Sequence, residues 1–167
     1  MQENFKQKLN NIKCFAFDID GVLTNGQLLV TEEGNLLRTM NIKDGYALKL
    51  AMQKGYEVVI ISGAKQKGAI ERLRMLGIEN IFSESKNKQQ TLNHFLVEKK
   101  LTHDAVLFMG DDMPDLEVMK NCGIAACPSD AVHDIKSISI YVSPHKGGEG
   151  AARDVIEQVL RLHAKWE

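Results

Sequence analysis

The stretch Phe17-Asp18-Ile19-Asp20-Gly21-Val22 governs the reading of the whole chain. It closes an apolar run, residues 12–17, that contains Cys14, Phe15 and Ala16. Such a run reads as a buried strand. Two carboxylates follow at i and i+2, then Gly21 and the turn-like Thr24-Asn25-Gly26. Residues two apart on a strand share a face, so both acids can line one crevice where the chain leaves the strand. Acids at the mouth of a buried strand are costly unless a cation or a reaction uses them. Taken alone, the pair reads equally well as an acidic turn that caps the strand.

Working outward, residues 27–31 and 35–42, joined by Glu32-Glu33-Gly34, predict a hairpin over about 26–42. Its apolar residues Leu28, Leu29, Val30, Leu36, Leu37 and Met40 exceed what one buried face needs, which predicts packing on a partner chain. Residues 43–54 are spaced as a helix with Gly55 as its stop. Residues 56–61 form a second buried strand that ends in Ser62-Gly63. Further helices are expected over 65–76, 86–100, 116–121, 131–136 and 150–163, and further strands over 80–82, 105–109, 123–126 and 139–142. Residues 1–11 read as a short or frayed helical lead-in.

Short apolar strands alternating with helices predict an α/β fold: a parallel sheet with helices on both faces. In such sheets ligands sit beyond the carboxyl ends of the strands. Asp18 and Asp20 end the first strand, Ser62 the second, and Asp111 with Asp112 follow the strand 105–109. Three remote segments therefore converge on one crevice, which is more specific than any one of them alone.

The totals limit what the crevice serves. With 167 residues, 44% hydrophobic and 26% charged, the chain reads as one globular domain over 1–167. A net charge of -1 points to neither nucleic acid nor an anionic membrane. Cys14, Cys122 and Cys127 are odd in number, lack a CxxC pair and lie among apolar residues, which reads as reduced thiols of a cytoplasmic protein. The lead-in has no signal-peptide pattern, and no apolar run is long enough to span a membrane.

Asp18, the backbone near Asp20, and Asp111 offer hard oxygen ligands, a set that suits Mg²⁺. No His/Cys cluster competes for zinc. Ser62 adds a hydroxyl and Lys86 or Lys88 an ammonium; together these describe a phosphoryl-group pocket. A carboxylate nucleophile there could form an aspartyl-phosphate, and a second carboxylate could protonate the leaving oxygen and then activate water.

The ordered set DIDGV from Asp18, Ser62-Gly63, a lysine, and GDDMPD from Gly110 resembles the haloacid dehalogenase superfamily of phosphatases. FDIDGVLTNG, NIKDGYAL, SGAKQKGAIERLRMLGI, NKQQTL, GDDMPDLEVM, GIAACPSDA and GGEGAARD, across residues 12–160, are similar to 3-deoxy-D-manno-octulosonate 8-phosphate phosphatases. The resemblance implies a Rossmann-like fold without a cap domain, with only the hairpin inserted. It implies Asp18 as nucleophile and Asp20 as acid/base, with Mg²⁺ on Asp18, the Asp20 carbonyl and Asp111. Ser62 would hold the phosphoryl oxygens and Lys88, which follows Asn87 directly, would neutralise them. Asp112 and Asp115 would support the metal waters and Lys88, and Arg72 and Gly63 would meet the substrate. It also implies a cytoplasmic homotetramer that serves lipopolysaccharide synthesis, with neighbouring subunits completing the site.

Plainer readings stand beside these. Asp115 suits the first turn of a helix by charge alone, and Arg72 could be a solvated helix arginine paired with Glu71. The loop 143–149, with His145 and Lys146, is either a mobile flap or a solvated turn. Ala64 stands where the octulosonate phosphatases usually carry Arg and phosphatases of nine-carbon keto-sugar acids can carry Glu, so a nine-carbon substrate remains an alternative. A silent oligomerisation module and a receiver-type domain are further alternatives. The full set Asp18, Asp20, Ser62, Lys88 and Asp111 argues against the first, and the position of Asp18 on the first strand against the second.

Overall fold

The computed structural model describes residues 5–166. The lead-in helix is α1 (Phe5–Leu9), and residues 1–4 of the expected lead-in lie outside the described residues. The strands are β1 (Cys14–Phe17), β2 (Leu29–Val30), β3 (Leu36–Leu37), β4 (Glu57–Ile61), β5 (Asn80–Phe82), β6 (Val106–Met109), β7 (Ile124–Cys127) and β8 (Tyr141–Val142). Between them run α2 (Ile42–Gln53), α3 (Lys67–Met75), α4 (Lys88–Lys99), α5 (Leu116–Lys120), α6 (His133–Ile138) and, last, α7 (Ala151–Leu162). Six strands form one parallel sheet in the order β5-β4-β1-β6-β7-β8, and β2 and β3 form the separate antiparallel hairpin. This is the capless α/β arrangement expected, because only the hairpin is inserted between β1 and α2.

Strand side chains alternate between faces, and the two cores divide accordingly. Phe15, Phe17, Val58, Ile60, Leu107 and Met109 face one layer, which contains buried residues of α2, α3 and α7. Cys14, Ala16, Val59, Ile61, Val106 and Phe108 face the other, beneath α4, α5 and α6. Fully buried strands of this kind show no polar alternation in sequence.

Elements start where the sequence provides caps. Asn41 accepts the Lys43 amide at 2.8 Å to start α2, and Asn87 accepts the Gln90 amide at 2.9 Å to start α4. The last helix, α7, has no cap of its own at Gly150. Asp44 of α2 supplies it from a distance, accepting the Arg153 amide at 2.8 Å. That bond ties α2 to α7 across the layer they share.

Candidate active site

The pairings place Phe17 beside Ile60 on one side and Met109 on the other. The next residues out, Asp18, Ile61-Ser62 and Gly110-Asp111, therefore leave the sheet at the same edge. The Asp18 amide donates to Met109 O at 3.2 Å, holding the first residue beyond β1 in register with β6. Past it the chain curls tightly: the amides of Leu23 and Thr24 both donate to Ile19 O at 3.0 Å. Gly21 takes φ +83 in this curl, and a Cβ there would overlap Asp111 Oδ2. Glycine is thus required both by the left-handed backbone and by the approach of the second acidic segment.

Lys88, the first residue of α4, reaches into the crevice and is 6% exposed. Its Nζ donates to Asp115 Oδ1 at 2.6 Å and forms an ion pair with Asp18 Oδ1 at 2.9 Å. Asp115 is buried, and its other oxygen accepts the Asp111 amide at 3.2 Å. It is therefore not a first-turn carboxylate in solvent but is packed against Lys88 and the Asp111 amide. Burial works against the charged lysine, but the Asp18 and Asp115 carboxylates outweigh it and hold Lys88 protonated. Lys86 is exposed and takes no part in these contacts.

The acids crowd one another. Oxygens of Asp18, Asp111 and Asp115 lie within 4.8 Å of one another. Burial, then the Asp115 charge, push Asp18 up to about 6. Burial, then Asp18, Asp115 and Asp112, push Asp111 up to about 7. Three carboxylates against one ammonium leave excess negative charge on hard oxygens. A divalent cation such as Mg²⁺ fits that donor set.

Asp20 sits apart from this cluster. Arg38 Nε donates to Asp20 Oδ1 at 2.6 Å and Nη2 to Oδ2 at 3.1 Å. Gln66 Nε2 donates to Asp20 Oδ2 at 2.9 Å and to Ser62 Oγ at 2.7 Å. Burial favours the neutral acid, but the bonds from Arg38 and Gln66 prevail and hold Asp20 below the usual carboxylate range. Neither Arg38 nor Gln66 was expected. A signal existed for each: Arg38 is the lone cation of the hairpin over 26–42, and Gln66 stands four residues beyond Ser62.

Three expectations need correction. Asp112 does not meet Lys88: it is exposed and caps the short 3₁₀ turn Met113–Asp115, accepting the Met113 amide at 2.7 Å. Its side chain points away because the turn needs that acceptor. Arg72 has no pairing with Glu71 or any other acid among the described residues. It is half-buried and lines a cavity of about 950 Å³ between the hairpin and α3, together with Arg38 and Gln66. The loop 143–149 is no free flap at its glycine end. The Gly148 amide donates to Val22 O at 2.9 Å and Gly147 packs so closely on Gly21 that a Cβ would overlap its carbonyl. Gly63 is exposed and lines a smaller cavity of about 270 Å³ with Lys88.

Comparison with known proteins bears on this arrangement. A profile of haloacid dehalogenase-like hydrolases matches residues 77–154. The 3-deoxy-D-manno-octulosonate 8-phosphate phosphatase KdsC of Escherichia coli K12 is 32% identical over 158 residues, which are 95% of this chain and 84% of the relative. This chain belongs to the KdsC-like family of haloacid dehalogenase-like hydrolases. The solved KdsC-like structures agree in fold. The Moraxella catarrhalis phosphatase, in complex with magnesium, phosphate and KDO, superposes with a TM-score of 0.92 at 28% identity, covering 96% of this chain and 92% of that one. The cobalt-bound Haemophilus influenzae phosphatase does so with a TM-score of 0.91 at 30% identity, covering 96% and 94%. No helix among the described residues of this KdsC-like chain is long and apolar enough to cross a membrane.

Proposed function

We propose that this chain is a Mg²⁺-dependent phosphatase that cleaves 3-deoxy-D-manno-octulosonate 8-phosphate, a phosphorylated eight-carbon keto-sugar acid, to the free acid and phosphate. The observation that carries the reading is the Asp18–Lys88–Asp115 arrangement, a buried carboxylate beside a protonated lysine at the mouth of a parallel sheet. The relatives named above act on that substrate, and one of them holds magnesium with phosphate and KDO.

Asp18 attacks phosphorus through a carboxylate oxygen, and the bond from phosphorus to the ester oxygen breaks as Asp20, which must first take up a proton against the hold of Arg38 and Gln66, gives that oxygen a proton. A water then loses a proton to Asp20 and attacks the same phosphorus, breaking its bond to Asp18 and releasing inorganic phosphate. The second half returns Asp18 to its carboxylate and Asp20 to its protonated form. Lys88 offsets the charge of the phosphoryl oxygens, and Ser62 Oγ hydrogen-bonds one of them. Asp115 keeps Lys88 aimed, and Asp112 stands at the rim to bond waters there. Asp18, the Asp20 carbonyl and Asp111 would hold Mg²⁺, which would supply the positive charge that lets a phosphate dianion approach these carboxylates. Arg72, with Gly63 at the rim, meets the sugar acid, and the unpaired guanidinium suits its carboxylate.

We read the chain as one catalytic unit in the cytoplasm, serving cell-surface lipopolysaccharide. A crevice without a cap leaves its substrate open to water. The hairpin leaves Leu29 67% and Val30 62% exposed, an apolar surface suited to a homotetramer whose subunits cover each other's sites. A nine-carbon keto-sugar acid 9-phosphate is the second reading, left open by the exposed Ala64, which is neither the Arg of the octulosonate phosphatases nor the Glu that nine-carbon phosphatases can carry.

Phosphate release from an eight-carbon, a nine-carbon and a hexose phosphate ester, with Asp18→Asn as blank, tests this. Strong preference for the eight-carbon ester is expected. Preference for the nine-carbon ester transfers the proposal to that acid. Release no greater than the blank from all three makes the chain a silent module.

A further inference from the structure

Both oxygens of the Asp20 carboxylate are occupied. Oδ1 takes Arg38 Nε at 2.6 Å, and Oδ2 takes Arg38 Nη2 at 3.1 Å and Gln66 Nε2 at 2.9 Å. An acid/base has to bring one oxygen within about 2.6–3.2 Å of the leaving oxygen and later of a water. The guanidinium fork and the Gln66 amide take three of about four acceptor sites and fix the direction of the carboxylate, so it cannot turn towards a leaving oxygen while they hold. Two-bond pairs of this type are also among the stronger contacts in proteins.

Arg38 is not part of the rigid sheet. It follows β3 on the hairpin, which is also tied to the body by the bridge between Thr24 and Met40 and by the packing of Met40 on the core. Arg38 lines the cavity of about 950 Å³, and so do Lys65, Lys67 and Arg72. Those three cations have no ion pair among the described residues. One carboxylate, Glu71, also lines the cavity, so its cations outnumber its acids; the cavity attracts an anion, and an anion inside it competes with Asp20 for the Arg38 fork.

We propose that Arg38 is a latch on Asp20, released by the carboxylate of the substrate. The proposal rests on the reading of the chain as a phosphatase for a phosphorylated sugar acid. As the carboxylate enters the cavity it takes the guanidinium in the same two-bond geometry. Oδ1 of Asp20 is freed, while Gln66, anchored on Ser62 Oγ at 2.7 Å, keeps the carboxylate beside the phosphoryl site. Turnover is then tied to a second anionic group on the substrate. In a crevice with no cap, this keeps other phosphate esters from being cleaved merely because they can reach Asp18. Arg38 acts through Asp20 and is a positioning residue with a specificity role.

The test compares wild type and Arg38→Met, with Mg²⁺, on phenyl phosphate and on the eight-carbon keto-sugar acid phosphate, with and without pyruvate as a free carboxylate. Arg38→Met is expected to raise kcat on phenyl phosphate about tenfold and to lower kcat/KM on the sugar acid ester about a hundredfold, chiefly through KM. Pyruvate is expected to speed phenyl phosphate cleavage by wild type and to leave Arg38→Met unmoved. Equal losses on both esters, or no response of wild type to pyruvate, overturn the latch while leaving the phosphatase intact. A wild type that ignores the sugar acid ester but is activated by pyruvate on phenyl phosphate keeps the latch and loses the proposed substrate.

Discussion

Asp115 Oδ1 accepts Lys88 Nζ at 2.6 Å, and both groups are shielded from water. Because the other oxygen of Asp115 holds the Asp111 amide at 3.2 Å, one carboxylate fixes the lysine and the second acidic segment together. Removing one member of a buried ion pair costs about 3–5 kcal/mol. Asp115→Ala should therefore lower Tm by roughly 10 °C for a chain of this size. Asp115→Asn, which keeps an acceptor of the same shape, should lose less. Calorimetry on the two variants checks the order.

Gly21→Ala offers a second test, because the new methyl would collide with Asp111 Oδ2 at a left-handed backbone. The expected outcome is a folded protein whose Tm no longer responds to Mg²⁺. A full response would mean that Asp111 is not held against this turn.

Magnesium itself should act as a stabilising ligand. At 100 times its Kd a ligand adds about 2.7 kcal/mol, so Tm should rise by roughly 5–10 °C on adding Mg²⁺ and return with EDTA. Asp111→Asn removes one of the three clustered carboxylates and should abolish most of the rise.

The acids also set the pH dependence of the metal-free protein. Asp18 and Asp111 stand at about 6 and about 7, above their unfolded value of 3.8, so the folded state binds more protons than the unfolded state through that window. Stability then falls as pH rises from about 4 to 7, because ionisation is paid for only in the folded state. Asp20, held low by Arg38 and Gln66, works in the opposite sense, but only at more acid pH. Without metal, Tm should be higher at pH 5 than at pH 8, and saturating Mg²⁺ should flatten or reverse the slope.

A charge on the hairpin tests the assembly. Leu29→Glu places a carboxylate in the middle of the exposed apolar strip and should shift the oligomer towards monomer in light scattering, with a matching fall in phosphate release. Full activity in a monomer would remove the need for neighbouring subunits at the site.

The sheet and the strand-end residues were legible because buried strands advertise themselves and their last residues must lie at one edge. Asp18, Ser62 and Asp111 follow from that rule, Lys88 rather than Lys86 comes from the family resemblance of Asn87-Lys88, and the structure brings them to the same mouth. What could not be read was direction. Asp112 and Asp115 are both acids of one short loop, and only the 3₁₀ turn decides that the first caps an amide outside while the second points in. Arg38 and Gln66 meet Asp20 across 18 and 46 residues, contacts that depend on how the hairpin folds back and where α3 begins. The loop 143–149 reads as either a flap or a solvated turn, yet Gly147 and Gly148 pack on the turn 21–25 so closely that it leaves no room for a side chain.

The sheet order has a consequence for synthesis. β1 emerges early, but its two neighbours are β4 and β6, the second of which ends only at Met109. Until the ribosome has passed that point, the strand that carries Asp18 is an apolar segment with at most one edge covered. Pairings between such distant segments form slowly, and unpaired strand edges expose nascent chains to aggregation. The central placement that makes β1 a rigid mount for its aspartate also makes the amino-terminal half of the chain the part most in need of protection while the rest is being made.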